Sequence, residues 1–217
     1  MRINPLGRTL LVLAMLPLPA LALTTSQNFD LVKGSVNSEE TLSPNERSSL
    51  QRGLADTAVT QTAFDDAADE TAWLEDMSRR LARHIPDEDE RFEFLTTLHW
   101  EATRAGIDPQ LMLALIQVKS GFNKYFVSPD GARGYMQVMP FWIRVIGNPD
   151  HNLFQLRTNL RYGALILRHY IDVEKGDMYR ALGRYEDNRG RSDFPQLVIG
   201  TRKKAWDYST AKRVDER

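Results

Sequence analysis

Apolar residues recur every three or four positions along the chain from Thr71 onward, the interval that places side chains on one face of an α-helix. The first run ends at Pro86, and a second begins after Asp87 and ends near Gly106. The inward-facing positions predicted for these two helices are Trp73, Leu74, Met77, Leu81, Ile85, Phe92, Leu95, Leu98 and Ala102. No stretch alternates with period two and no segment repeats, so the pattern predicts an all-α domain.

The second half of the chain continues the helical pattern. Further helices are predicted after Asp108, after Pro140, from Asn152 to Glu174, after Asp177 and from Phe194 to Tyr208. The segment from Asn152 to Glu174 is the longest, and its leucines fall on one side. We therefore expect it to be the main core helix.

The first 70 residues differ from the rest. Met1 to Ala22 combine a positive start, an apolar run and a small-residue site at the end, which is typical of a secretory signal peptide. An uncleaved anchor is disfavoured, because the run is short and contains Pro17 and Pro19. Residues 23–70 hold few large apolar side chains and predict a mostly disordered or weakly helical linker. The predicted organisation is signal peptide 1–22, linker 23–70 and helical domain 71–217.

Composition limits the cellular compartments and the partners to be expected for the protein. The 217 residues include no cysteine and carry a formal net charge of −1. The sequence therefore offers neither a disulfide nor a cysteine for a lipid anchor, and it predicts no general affinity for nucleic acid. A basic cluster at Arg202, Lys203, Lys204, Lys212 and Arg213 is either solvated surface or a contact for an anionic polymer. We expect a soluble periplasmic monomer with no stable membrane anchor after cleavage of the signal.

The stretch from Leu111 to Trp142 concentrates the candidate chemistry. A helix ends at Lys119 and Ser120, and residues 128–134 then read Ser-Pro-Asp-Gly-Ala-Arg-Gly. Residues 134–140 continue as Gly-Tyr-Met-Gln-Val-Met-Pro, and residues 184–186 read Arg-Tyr-Glu. A helix end beside a glycine-punctuated turn is typical of a groove.

These motifs resemble those of the soluble lytic transglycosylases, lysozyme-like enzymes that cut peptidoglycan glycan strands. The family pattern is Glu-Ser at a helix C-terminus, then Ser-Pro-x-Gly-Ala-x-Gly, Gly-Leu-Met-Gln-x-Met-Pro, and later Ala-Tyr-Asn. The resemblance implies a goose-type-lysozyme-like helical fold, in which the run that includes Asn159 packs beneath the catalytic loop. The spacing is kept here, but Lys119 stands at the position of the family glutamate and Glu186 at that of the asparagine.

The resemblance also implies a mechanism. In the family, one glutamate protonates the glycosidic oxygen between N-acetylmuramic acid and N-acetylglucosamine. It then acts as base while the muramyl 6-hydroxyl closes a 1,6-anhydro ring, and no metal or cofactor takes part. Lysine does not replace this group readily, because its ammonium ordinarily keeps its proton up to a pKa of about 10.4.

The remaining site residues are carried over by position. Ser120 is the serine of the family Glu-Ser pair, while Ser128, Gln137, Met139 and Tyr185 match residues that line the sugar-binding cleft. Tyr185 matches the tyrosine that hydrogen-bonds the family glutamate. Hydroxyls, an amide and soft apolar side chains suit a hexose, which has polar edges and an apolar face. We therefore predict these five residues as the substrate-binding set.

Two interpretations of Glu186 remain open. It is either a relocated acid or the partner of Lys119 in an ion pair across the old site. These exclude each other, because pairing makes both groups poorer proton donors. A Glu186 that faces the solvent and contacts nothing is the third possibility.

The predicted function is a peptidoglycan-binding, transglycosylase-like domain whose catalysis is impaired by Lys119. One alternative is an active lytic transglycosylase that uses Glu186 or another carboxylate as its acid. Lys119 could equally be a variant of an active parent that carried glutamate. A helical interaction domain without sugar binding is the weakest alternative, since the cleft residues are present.

Overall fold

The computed structural model describes residues 42–56, 66–186 and 193–208, all within one compact unit, Thr41–Arg217. The predicted signal peptide lies outside these residues. The described helices are α1 (Pro44–Ala55), α2 (Ala67–Leu81), α3 (Glu88–Arg104), α4 (Pro109–Ser120), α5 (Phe141–Ile146), α6 (Leu156–Val173), α7 (Met178–Tyr185) and α8 (Asp193–Ala205). None of them is long and apolar enough to cross a membrane. The described part of the chain forms no β-sheet, and the predicted all-α class is confirmed.

Helix α1 lies inside the segment predicted as a linker. Ser43 and Glu46 form a capping box: the Ser43 hydroxyl accepts the Glu46 N–H at 3.3 Å, and the Glu46 carboxylate accepts the Ser43 N–H at 2.8 Å. Leu50 and Leu54 are buried, and α1 packs against α5 and α6. The compact unit therefore includes a helix that the predicted boundary at residue 71 leaves out.

The predicted helix ends are found where the capping residues indicated them. The side chains of Asp87, Asp108 and Asp177 each accept a backbone N–H two or three residues later, at 2.8, 2.9 and 3.0 Å. Gly106 and Gly121 follow α3 and α4 with φ of 67° and 59°, the left-handed conformation that suits glycine after a helix. Local capping chemistry therefore sets where the site helix α4 stops.

Helix α6 is the centre of the packing, as predicted. It contacts α1, α3 and α7, while α4 packs between α3 and α8. One inward position was predicted wrongly: Phe92 is 54% exposed, and Phe94 is fully buried instead. At about 100° per residue the two lie on nearly opposite sides of α3. The Phe94 ring packs 4.9 Å from that of Tyr135, between centroids, so α3 supports the loop after α4.

A buried carboxylate surrounded by arginines joins α1 to the rest of the unit. Glu101 on α3 is 2% exposed, and it accepts hydrogen bonds from Arg157 at 3.2 Å and from Arg161 at 3.0 Å. Arg104 reaches the other way and donates to the Gly53 carbonyl of α1 at 2.7 Å. A cavity of about 190 Å³ lies among these residues. We call Glu101, Arg104, Arg157 and Arg161 the arginine clamp.

Gly53 allows this close approach of α1 and α6. A Cβ atom at this position would lie 2.7 Å from a methyl carbon of Leu165 on α6. A larger side chain would therefore displace α1 from the surface that the arginine clamp holds.

His99 should make the stability of the fold depend on pH. Its ring is buried and lies 4.8 Å from the Trp73 ring, between centroids, and burial lowers its pKa to about 4. A histidine with a lowered pKa in the folded state stabilises the fold fully above its ordinary value of about 6.5. That stability is lost as the pH falls from about 6.5 towards 4, by up to about 3 kcal/mol.

Denaturant unfolding of wild type and His99→Leu between pH 4 and pH 7.5 measures this effect. We expect the free energy of unfolding of the wild type to fall more steeply below pH 6.5 than that of His99→Leu. Parallel curves for the two proteins would show that His99 does not contribute.

Candidate functional site

The last turn of α4 brings Lys119 and Ser120 to the edge of the loop that follows. The Ser120 hydroxyl donates to the carbonyl of Tyr135 at 2.8 Å and also lies 3.1 Å from the carbonyl of Ile116. This side chain therefore ties the end of α4 to the loop. Ser120 was predicted as a substrate-binding residue, and its hydroxyl is engaged with the backbone.

The loop from Val127 to Val138 is held by short-range backbone pairing. Arg133 forms isolated antiparallel bridges with both Val127 and Val138. The Ser128 hydroxyl accepts the N–H of Ala132 at 3.1 Å, and the Ser128 N–H donates to the carbonyl of Ala132 at 3.0 Å. Ser128 is thus fixed at the turn.

Gln137 organises the inside of the same loop. It is buried and has a φ of 53°, which is uncommon for a residue with a side chain. Its amide nitrogen donates to the carbonyls of Phe126 at 3.0 Å and Gly134 at 2.8 Å. These bonds hold the strained backbone in place, so the NH₂ group of the predicted sugar-binding residue Gln137 is used inside the loop.

Asn159 on α6 supports the loop from beneath. Its side chain, 1% exposed, accepts the N–H of Met136 at 2.8 Å and donates to the carbonyls of Arg133 at 2.9 Å and Leu153 at 2.8 Å. Gly134, with a φ of 73°, leaves room for it, because a Cβ there would lie 2.5 Å from the Asn159 amide nitrogen. The position predicted to pack beneath the loop therefore does so.

Tyr185, the last residue of α7, contacts the same loop. Its hydroxyl donates to the carbonyl of Met136 at 2.9 Å, and Met139 is partly buried against the core. Burial raises the pKa of the Tyr185 hydroxyl above its ordinary value, and the negative charge of Glu186 adds to the effect. The hydroxyl therefore stays protonated and serves as a donor to the loop.

Lys119, in the last turn of α4, and Glu186, directly after α7, form an ion pair. The Lys119 ammonium contacts Glu186 Oε2, with side-chain exposures of 15% and 30%. Lys119 Nζ also lies 5.6 Å from the centre of the Phe194 ring on α8, within cation–π range. Of the three interpretations left open by the sequence, the structure contains the ion pair.

The ion pair engages the two charged side chains with each other, because the Lys119 ammonium donates to Glu186 Oε2. Over the described ranges, no group of three or more His, Cys, Asp or Glu side chains is arranged to hold a metal ion. The site thus presents a pair of opposite charges beside a loop whose polar side chains are bonded to the backbone.

Phe194 is the site residue that sequence reasoning missed. Helix α8 was predicted, but nothing in its own pattern connected it to Lys119, and the contact depends on how α8 packs on α4. The Trp206 indole also donates to Gln117 on α4 at 2.7 Å, which fixes this packing. Arg184, which departs from the family pattern, forms an ion pair with Glu174. Asp187, which follows this motif, lies outside the described residues.

Comparisons with known proteins point the same way as the motifs. Residues 98–204, just under half of the chain, match the family model of the transglycosylase SLT domain. A transglycosylase of Enterobacteria phage PRD1 is 27% identical over 121 residues, which are 54% of this chain and 43% of the phage protein. The match therefore spans less than half the length of this relative.

A solved structure of an inactive mutant of the lytic transglycosylase Slt from Pseudomonas aeruginosa is also similar. It is 25% identical, with a TM-score of 0.41, and the match covers 64% of this chain and 27% of that one. By sequence, residues 98–204 are therefore similar to the transglycosylase SLT domain.

Proposed function

We propose that this domain binds the glycan strands of peptidoglycan and has lost most or all lytic transglycosylase activity. The observation that carries the proposal is the ion pair between Lys119 and Glu186, which stands where the family resemblance expects the glutamate that acts as acid and base. Glycan binding is supported by the family match and by the retained residues Ser128, Gln137 and Tyr185.

The loss of activity follows from what the reaction needs. Cleavage requires a proton on the glycosidic oxygen and then a base that removes the proton of the muramyl 6-hydroxyl. Lys119 supplies neither readily, and Glu186 is already occupied by the ammonium that it neutralises. The substrate provides its own nucleophile, so a single well-placed carboxylate would be enough to restore the scheme.

The alternative function is an active enzyme in which Glu186 leaves Lys119 when substrate binds and acts as the acid. This alternative is supported by the position of Glu186, because the ion pair holds its carboxylate at the site. The two candidates predict opposite results for wild type, and the experiments below separate them. A periplasmic location and a monomeric state belong to the same proposal and rest on the sequence of residues 1–22 and on the family.

The first test restores the acid. Wild type should release no detectable 1,6-anhydromuropeptides from purified sacculi. Lys119→Glu should restore activity in part, and Lys119→Glu combined with Glu186→Asn should restore more. Two facing carboxylates repel, so one of them would hold its proton too tightly to act as the base. General acid–base catalysis is worth roughly 10²–10⁴-fold, which sets the scale of the expected gain.

Chromatography of the soluble fragments, with mass spectrometry, measures these products. Lys119→Gln combined with Glu186→Gln is the matched control, because it removes the ion pair without adding an acid, and it should stay inactive. If wild type turns over sacculi and Glu186→Gln abolishes this turnover, Glu186 is the relocated acid. The proposal that the domain has lost its activity is then wrong.

The second test concerns binding alone. Wild type should bind chitooligosaccharides or anhydromuropeptides, because the groove residues do not depend on the proton donor. Isothermal titration calorimetry with millimolar ligand is the measurement. The Asn159→Ala variant should bind at least 10-fold more weakly, since it leaves loop groups such as the Met136 N–H unpaired. No saturable binding by wild type would contradict glycan recognition.

A further inference from the structure

Aromatic and basic side chains lie together beside the Gln137 loop, at positions whose residue type the family motifs do not specify. Tyr125 is 69% exposed and Phe126 38% exposed, whereas most large apolar side chains of the unit are buried. Phe154, from the segment before α6, lies next to Tyr125. We call Lys124, Tyr125, Arg133 and Phe154 the aromatic patch.

The rings of the aromatic patch form a pair, and each has a cation beside it. The centroids of Tyr125 and Phe154 are 6.0 Å apart, with 42° between the ring planes. Lys124 Nζ lies 5.7 Å from the centre of the Tyr125 ring, and the Arg133 guanidinium lies 5.9 Å from that of Phe154. The exposed Tyr125 ring and the half-buried Phe154 ring favour contact with an apolar surface, and the two cations favour a ligand that also carries negative charge.

The backbone that presents the patch is fixed by hydrogen bonds. The N–H of Tyr125 donates to the Asn123 side chain at 3.0 Å, and the N–H of Phe154 donates to the Asn152 side chain at 2.9 Å. Between them, the Phe126 carbonyl accepts the N–H of Gly134 at 2.9 Å. A preorganised surface loses little conformational entropy when a ligand binds.

The patch is continuous with the candidate groove. The Phe126 carbonyl that accepts the Gly134 N–H also accepts the amide of Gln137, and Arg133 pairs through its backbone with Val138. A chain-like ligand that lies along the Gln137 loop would therefore reach Tyr125 and Arg133 without a gap in the supporting backbone. A glycan strand fits this continuity better than a separate protein partner does.

We propose that the aromatic patch is an additional subsite for a glycan strand that carries carboxylate substituents. The apolar face of a hexopyranose ring stacks on Tyr125 and Phe154, and Arg133 and Lys124 bind the carboxylate of a substituent on that sugar. This inference rests on the proposed function, because it names the part of the ligand that binds outside the groove. The loop also carries Asp130, whose negative charge would repel an anionic substituent. The attraction for that substituent therefore has to come from Lys124 and Arg133.

The test compares a neutral and a charged probe on single variants. The neutral probe is a chitooligosaccharide of four to six sugars, and the charged probe is a muramyl-peptide oligomer of the same length. Calorimetric titration should show that Tyr125→Ala weakens the binding of both probes by about 2–10-fold, the range for one aromatic contact. Arg133→Gln should weaken only the charged probe, and added salt should reduce the difference between wild type and this variant.

Matched controls come from exposed residues elsewhere in the unit. Phe92→Ala removes an exposed aromatic ring on α3, and Arg79→Gln removes an arginine on α2 whose side chain is 74% exposed. Both should bind like wild type. Thermal unfolding followed by circular dichroism should give the same midpoint for Tyr125→Ala and Phe92→Ala, since neither ring is in the core.

The outcomes separate the two proposals. If wild type binds both probes and the patch variants bind them equally well, the subsite is wrong and the groove still binds glycan. If Arg133→Gln weakens the neutral probe as much as the charged one, carboxylate recognition is wrong. If wild type binds neither probe, glycan binding by the domain is wrong, and the subsite with it.

Discussion

The side-chain amide of Asn159 is the contact on which the site geometry depends. It satisfies one backbone N–H and two backbone carbonyls of the segment from Arg133 to Leu153, in a place with almost no access to water. Without Asn159 the Met136 N–H would be a buried unpaired donor, which costs about 1–3 kcal/mol, whereas the Arg133 carbonyl also accepts the N–H of Val138 at 3.1 Å. Gly163, one turn further along α6, lets the loop approach the helix because it has no side chain. A Cβ there would collide with the Met136 side chain. The helix thus determines the loop, and the loop determines what a ligand would meet.

The helices could be predicted because their causes are local. Asp108 and Asp177 cap the helices that follow them, and a period of three to four residues is visible in the printed sequence. Helix α1 was not predicted as part of the domain, because its sequence is polar and the helix buries its two leucines by packing against α5 and α6, which are distant in the chain. Phe92 and Phe94 show the same limit within one helix. Both fit a loosely drawn apolar stripe, and packing against Tyr135 selects Phe94.

The site divides in the same way. The resemblance to the family motifs indicated Lys119, Ser120, Gln137 and Tyr185, because each lies within one of those motifs. What those side chains do depends on contacts between distant segments: the Tyr185 hydroxyl reaches Met136, and Phe194 lies under the Lys119 ammonium. Lys119 and Glu186, two of the residues that depart from the family pattern, contact each other. Either charge without the other would have only 15% or 30% of its side chain exposed, so each offsets the electrostatic cost of burying the other.

The arginine clamp shows that the folded unit extends further towards the N-terminus than the family resemblance indicates. The matched region begins at residue 98, and the predicted domain began at 71, yet Arg104 donates to the last turn of a helix that ends at Ala55. A protein truncated at either position would expose Leu165 and leave guanidinium groups on the surface without their carbonyl acceptors. Helix α1 also rests on α5, which starts directly after the loop at Pro140. Poor binding by a shortened protein would therefore reflect the loss of α1 as a support for α5. A protein used for binding measurements should begin before Ser43.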